Sequence, residues 1–159
     1  MAGPDRQITL PLPTPEATDR LARVLAGAAQ AGDIILLEGP IGAGKSHFAR
    51  AYIRARMGRD EDVPSPTFTL VQEYDADPPI WHADLYRLGH PDDLLELGLE
   101  EAFGRDICLI EWPDRFGADR PDDALTLALR AEGEGRVASL TGGPGWQDRL
   151  ERLGALLSD

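Results

Sequence analysis

The chain has 159 residues, with 28 acidic against 16 basic side chains, a formal net charge of −12 and one cysteine. That length suits a single domain over residues 1–159, a lone cysteine leaves no disulfide framework, and 42% hydrophobic residues are too many for a disordered chain. No apolar run approaches the roughly 20 residues of a membrane span, and the N-terminus lacks the apolar core of a signal peptide, so a cytoplasmic location without membrane contact is expected.

In chain order, Gln7–Leu12 alternates as a short strand, which Pro11 and Pro13 confine to a sheet edge. A helix follows, with Thr14 as N-cap, Pro15 at the first helical position and Leu21, Val24, Leu25 and Ala28 at helical spacing as far as Gly32. Ile34–Glu38 is a continuous apolar run of the buried parallel-strand type, and a second helix follows through Phe48, Ala49, Tyr52 and Ile53. Arg54, Arg56 and Arg59 are expected to face solvent. The Pro-rich stretch around Val63-Pro64-Ser65-Pro66 reads as loop and Thr67–Tyr74 as strand. Ile80–Asp84 is another strand, a helix starts at Pro91 and closes by Gly104, and Asp106–Glu111 is a third short apolar run. Within it Cys108 reads as a small buried hydrophobe. Two alternating segments, Leu125–Arg130 and Arg136–Thr141, flank Glu132-Gly133-Glu134-Gly135 as a hairpin, and a last amphipathic helix covers Trp146–Leu157. Apolar strands alternating with helices predict an α/β fold, a three-layer α/β/α sandwich whose sheet is mostly parallel with an antiparallel edge hairpin.

Fifteen of the 16 basic residues are arginine, and the one lysine, Lys45, sits in Gly39-Pro40-Ile41-Gly42-Ala43-Gly44-Lys45-Ser46. Every fixed position of G-x-x-x-x-G-K-[ST] is filled, with a strand before and a helix after, which makes the expected sandwich P-loop NTPase-like. A polyphosphate needs converging backbone N–H donors and no obstructing side chains, which the glycines at 39, 42 and 44 permit. Lys45 would bring a compact charge to the terminal phosphates and Ser46 a hydroxyl to Mg²⁺, so a polyphosphate with Mg²⁺ is the expected ligand. His47 reads first as an exposed first-turn residue and counts among the candidate nucleotide contacts, with Ile41 and Ala43 beside it.

Such a site needs acids to hold the metal or order the attacking water. Asp84 and Glu111 each end an apolar strand, at the exposed ligand-binding edge where such a sheet binds ligands, and either could be the metal ligand. His82 alternates with apolar neighbours and reads as structural. Ser65-Pro66-Thr67 offers hydroxyls on a stiff turn suited to sensing a terminal phosphate. Asp92, Asp93, Asp122 and Asp123 read as caps or solvated acids.

The succession of this P-loop with Val63-x-Ser65-Pro66-Thr67-Phe68-Thr69-Leu70, His82-x-Asp84-Leu85-Tyr86-Arg87-Leu88 and Ile107-x-Leu109-Ile110-Glu111-Trp112 resembles the bacterial TsaE (YjeE) family of P-loop ATPases. The resemblance runs from about Ile8 to the strand of Arg136. It implies an ATPase in formation of the threonylcarbamoyl group on A37 of tRNAs reading codons that begin with A, acting with the TsaB–TsaD pair. It also implies that Ser46 is the Mg²⁺-binding hydroxyl, that Asp84 and Glu111 are acids near the metal, that Thr67 is the switch threonine and that Trp112 adjoins the metal-site acid. The sequence departs from the family at Pro40-Ile41, where Asp-Leu is usual, and at His47, where Thr is common.

A small-molecule kinase is the enzyme alternative, but no acceptor pocket or Arg-bearing lid is evident; a non-hydrolysing nucleotide sensor is the other. A GTPase is disfavoured, because its Asn-Lys-x-Asp motif requires a second lysine. No arginine finger is assignable, so weak activity of the isolated chain is expected. The net charge of −12 opposes the counterion-release term of nucleic-acid binding, so tRNA is expected to be reached only through partners. Thr14 and Arg136 are candidates for the outer nucleotide contacts.

Overall fold

A computed structural model describes residues 7–40, 42–58, 71–86, 98–121 and 123–157. Its frame is one seven-stranded sheet in the order β1-β7-β6-β2-β5-β4-β3, formed by β1 (Gln7–Leu12), β2 (Ile34–Glu38), β3 (Val71–Tyr74), β4 (Ile80–Asp84), β5 (Ile107–Glu111), β6 (Leu125–Glu132) and β7 (Gly135–Gly142). The central strands β6, β2, β5 and β4 are mutually parallel; β7 and β3 run against them, and β1, antiparallel to β7, returns to the common direction. The hairpin therefore stands one strand in from the edge. Its outer side is covered by β1, where Pro11 is tolerated because the strand has no further neighbour.

The period of two along each strand sorts the core. Ile35 and Leu37 of β2 and Ile107 and Leu109 of β5 face one layer, formed by helices α1 (Pro15–Gly27), α2 (Lys45–Met57) and α4 (Gln147–Leu157). Ile34, Leu36, Cys108 and Ile110 face the other, with Leu99 and Ala102 of the short helix α3 (Leu99–Ala102) and Phe116 of the 3₁₀ segment Pro113–Asp119. Both faces of the sheet are covered, as the apolar strands require. Cys108 is fully buried and burial pushes its thiol up to about 12, so it acts as a core residue.

Helix α1 begins as its sequence predicts: the Thr14 hydroxyl accepts from the Ala17 N–H at 3.2 Å, and Pro15 follows. It ends at Gly27 and not at Gly32, because the Asp33 carboxylate accepts from the Gln30 N–H at 2.9 Å and ties those residues into a turn. Arg149 of α4 grips the same carboxylate in a fork, with N–O distances of 2.7 and 2.8 Å, donates to the Ala28 carbonyl at 3.0 Å and covers the Trp146 ring. The last helix starts at Gln147, since Pro144–Trp146 forms a 3₁₀ turn ahead of it.

Buried positions in α2 are Lys45, Phe48, Ala49, Tyr52 and Ile53, the stripe of a helix lying on a sheet. Arg56 departs from the expectation of a solvent-facing side chain: it lies across the end of α2 and donates to the carbonyls of Ala26 and Asp77, the latter at 2.8 Å. Arg59, the Ser65-Pro66-Thr67 turn, residues 67–70 of the expected strand, Asp92, Asp93 and Asp122 lie outside the described residues, as does the helix start at Pro91. Asp123 acts as a cap, accepting from the Gly145 N–H at 2.9 Å.

Candidate functional site

The same alternation that builds the core sets out the site. On β4, Ile80, His82 and Asp84 share a face, and on β5 so do Ile107, Leu109 and Glu111; Ile80, Ile107 and Leu109 pack in the core layer beneath α2. Asp84 and Glu111 are register partners on adjacent parallel strands, so both acids arrive together at the carboxyl ends. The N-terminus of α2 lies above them, and the Ser46 hydroxyl donates to the Glu111 carboxylate, 3.0 Å from Oε1 and 3.2 Å from Oε2.

Glu111 differs from the sequence expectation in one respect. It is 2% exposed, not an open acid at the rim, because Ser46 covers it from above and His82 from the side. Asp84 is half-buried, and its Oδ1 accepts from the Tyr86 N–H at 3.0 Å. Burial holds the Asp84 carboxyl above the ordinary range; the Tyr86 N–H opposes this and the Glu111 charge adds to it.

The loop between β2 and α2 carries Gly39, Gly42 and Gly44 at positive φ, with Gly39 at +142°. A side chain at Gly39 would place its Cβ 2.4 Å from the Leu129 carbonyl oxygen of β6, so only glycine lets the loop leave β2 at that height. Lys45 is 5% exposed and turned inward. Its ammonium donates to the Gly39 carbonyl and, at 3.2 Å, to the Pro40 carbonyl, and lies 3.7 Å from the centre of the Trp112 ring. Burial lowers the Lys45 pKa, opposed by the charges of Glu111, Asp84 and Asp114.

Trp112 follows Glu111 directly and is in the left-handed region at φ 62°, which swings its ring out of the strand direction and over the lysine. Tyr86 packs against it with ring centres 4.9 Å apart. Tyr86 had no role in the sequence reading, although its place two residues beyond Asp84 is the signal that could have found it. Ala43, Gly44, Lys45, Ser46, His47, Asp84, Glu111 and Trp112 thus converge on one cleft of about 390 Å³, which Tyr86 and Arg50 complete. Ile41 and Thr67 lie outside the described residues.

His47 is not simply exposed; its Nε2 lies 2.8 Å from Asp19 Oδ1 of α1. On its far side a second hollow of about 190 Å³ continues from Gly44 to Thr14, Thr18 and Arg136. Arg136 donates to the Gly42 carbonyl at 3.0 Å, which ties the hairpin to the loop. Glu38, the last residue of β2, is paired with Arg120 and so fixes the strand end from which the loop departs.

Comparison with known proteins agrees with this arrangement. Residues 12–138 match the family described as threonylcarbamoyl adenosine biosynthesis protein TsaE. The tRNA threonylcarbamoyladenosine biosynthesis protein TsaE of Bacillus subtilis is 37% identical over 122 residues, 76% of this chain and 75% of that protein. Its counterpart in Rickettsia conorii is 45% identical over 100 residues, 62% of this chain and 57% of that protein; the Rickettsia felis protein is likewise matched over 58% of its length, so the chain spans less than two thirds of these two relatives. The crystal structure of Bacillus subtilis YdiB superposes with a TM-score of 0.78 at 31% identity, covering 99% of this chain and 97% of that one. With the loop, the two strand-end acids and the tryptophan on one cleft and the family match running from β1 into β7, the chain belongs to the TsaE family.

Proposed function

We propose that the chain binds ATP with Mg²⁺ and hydrolyses it slowly, in a complex with TsaB- and TsaD-like partners that forms the threonylcarbamoyl modification on A37 of tRNAs reading codons that begin with A. The observation that carries this is the meeting of the chain's only lysine with Ser46, Asp84 and Glu111 beneath a glycine loop, at the carboxyl ends of parallel strands. The relatives' names supply the pathway.

The residues present suit a nucleotide-bound magnesium ion. One hydroxyl and two carboxylates is a sparse oxygen set, and among the described residues no group of three or more His, Cys, Asp or Glu forms a closed cage. That is the pattern of a cation completed by phosphate oxygens and water. Ser46, Glu111 and Asp84 would hold it, and when bound it would neutralise charge on the phosphates. The chain's own groups do the rest. Loop N–H groups and the first turn of α2 donate to the phosphates, Lys45 adds its charge, and a carboxylate of the Asp84–Glu111 pair orients the attacking water. Thr67 is assigned the phosphate-sensing role. The hollow beside Thr14 and Arg136 takes the nucleoside end.

No helix among the described residues is long and apolar enough to cross a membrane; we propose a cytoplasmic site of action because tRNA modification is the pathway named for the relatives. The net charge of −12 favours tRNA contact through the partners. Phosphate release tests the reading. Slow turnover that rises when the TsaB- and TsaD-like partners are added, and loss of ATP-analogue binding in Lys45→Ala, are expected. ADP formation that depends on a small-molecule acceptor would establish a kinase instead, and binding without any turnover a sensor.

A further inference from the structure

His82 is fully buried in β4, yet it is not an apolar core residue in disguise. Its Nε2 lies 2.7 Å from Glu111 Oε2, while its Nδ1 is buried with no hydrogen-bond partner among the described residues. A carboxylate only accepts, so the Nε2–H is the donor and the ring has one engagement, the one with Glu111. An imidazole placed in a core for packing alone would leave two polar atoms unsatisfied; here one is left in order to reach this carboxylate. Parity explains the reach. His82 and Glu111 project from adjacent parallel strands onto the same face, and His82 is in register with Leu109, two residues before Glu111.

The consequence lies in which oxygen of Glu111 remains for the cleft. Oε2 is taken from the side by His82, and Oε1, the atom nearer the Ser46 hydroxyl, is left toward the loop. Nothing else among the described hydrogen bonds fixes the rotation of that carboxylate. The geometry points to His82 as the positioning residue of the metal site: its Nε2–H clamps Glu111 Oε2 so that Glu111 meets Mg²⁺ through Oε1 beside Ser46. This rests on the reading of Ser46 and Glu111 as Mg²⁺-holding groups. Loss of an outer hydrogen-bond partner of a metal ligand commonly lowers metal affinity by about 10–100-fold.

The test compares two substitutions that keep an amide in the same core position. In His82→Gln the side-chain nitrogen can reach where Nε2 stands; in His82→Asn it reaches only to the level of Nδ1. Binding of a fluorescent ADP analogue is measured in EDTA and across a Mg²⁺ titration, with far-UV circular dichroism as the check on folding. The expected result is an unchanged EDTA affinity in both variants, a Mg²⁺ midpoint raised about 10–100-fold in His82→Asn, and a midpoint near wild type in His82→Gln. If His82→Asn titrates within twofold of a Mg²⁺-responsive wild type, or if both variants lose nucleotide equally in EDTA, the positioning role is wrong and His82 is structural. A wild-type chain that binds the analogue without any response to Mg²⁺ would overturn both this role and the metal reading beneath it.

Discussion

Replacing Gly39 by alanine puts the phosphate loop to a quantitative test. The new Cβ would lie 2.4 Å from the Leu129 carbonyl oxygen and 3.2 Å from the Ala43 Cβ. Ordinary carbon–oxygen contacts begin near about 3.3 Å, so the separation must grow by roughly 1 Å. Leu129 cannot give way cheaply, because β6 is laddered to β2 on one side and to β7 on the other. The loop must move, and with it the Gly39 carbonyl that holds the Lys45 ammonium. A displacement of about 1 Å in a positioned group can cost about 10²-fold, and the φ of +142° adds strain of about 1–3 kcal/mol for any side chain. We therefore expect Gly39→Ala to weaken a non-hydrolysable ATP analogue by about 10–100-fold in calorimetric titration. Gly42→Ala is the control: among the described residues it meets no heavy atom within 4 Å and carries left-handed strain alone, roughly 1–2 kcal/mol, so its loss is smaller. An affinity for Gly39→Ala within twofold of wild type, or a larger loss in Gly42→Ala, would refute the steric argument.

Two further substitutions address stability. Asp33→Ala leaves the Arg149 guanidinium buried without its carboxylate, a loss of about 3–5 kcal/mol, which for a chain of this size is a melting temperature lower by about 6–20 °C. A calorimetric scan checks it, and a fall under about 2 °C would mean that the fork contributes little. Asp84→Asn should do the opposite at neutral pH. The folded carboxyl binds its proton more tightly than the unfolded one, so this group's contribution to stability is present below the ordinary Asp range and is lost as the pH rises through the raised folded value. The variant should melt higher than wild type near about pH 7, with the gain vanishing near about pH 3, while its Mg²⁺-dependent nucleotide binding weakens. Equal melting at both pH values would remove burial as the cause.

Much of the fold was legible because its signals are local. The apolar runs at Ile34 and Ile107, the Thr14–Pro15 cap and the hairpin glycines each carry their physics within a few residues. The end of α1 was not, since the Asp33 carboxylate that ties the turn is itself held by Arg149, 116 residues further on. The same divide runs through the site. The phosphate loop and the two strand-end acids stand out in the sequence, but the burial of Glu111 depends on Ser46 and His82, which lie far from it in sequence and meet only across α2, β4 and β5. His82 read as a core residue from its apolar neighbours, because alternation along one strand reveals a face and not what the next strand places there. The Trp112 ring over Lys45 likewise needs the left-handed turn after β5, which no residue pattern announces.

The outermost strand has a consequence for the order of events during synthesis. β1 pairs with β7 from Gln7↔Thr141 to Leu12↔Arg136, so β1 cannot take its place in the sheet until β7 has been made. Contacts so distant in sequence carry a large loop-closure entropy and form late. Three of the four central parallel strands, β2, β4 and β5, and the loop after β2 can assemble from residues 34–111 beforehand. The hollow between Thr14 and Arg136 cannot, because its two walls are far apart in the sequence and meet only when β1 pairs with β7. A ribosome-bound chain that has not yet released the β7 segment would thus lack one wall of the hollow proposed for the nucleoside, and on that reading full nucleotide affinity would arise only as β1 and β7 pair.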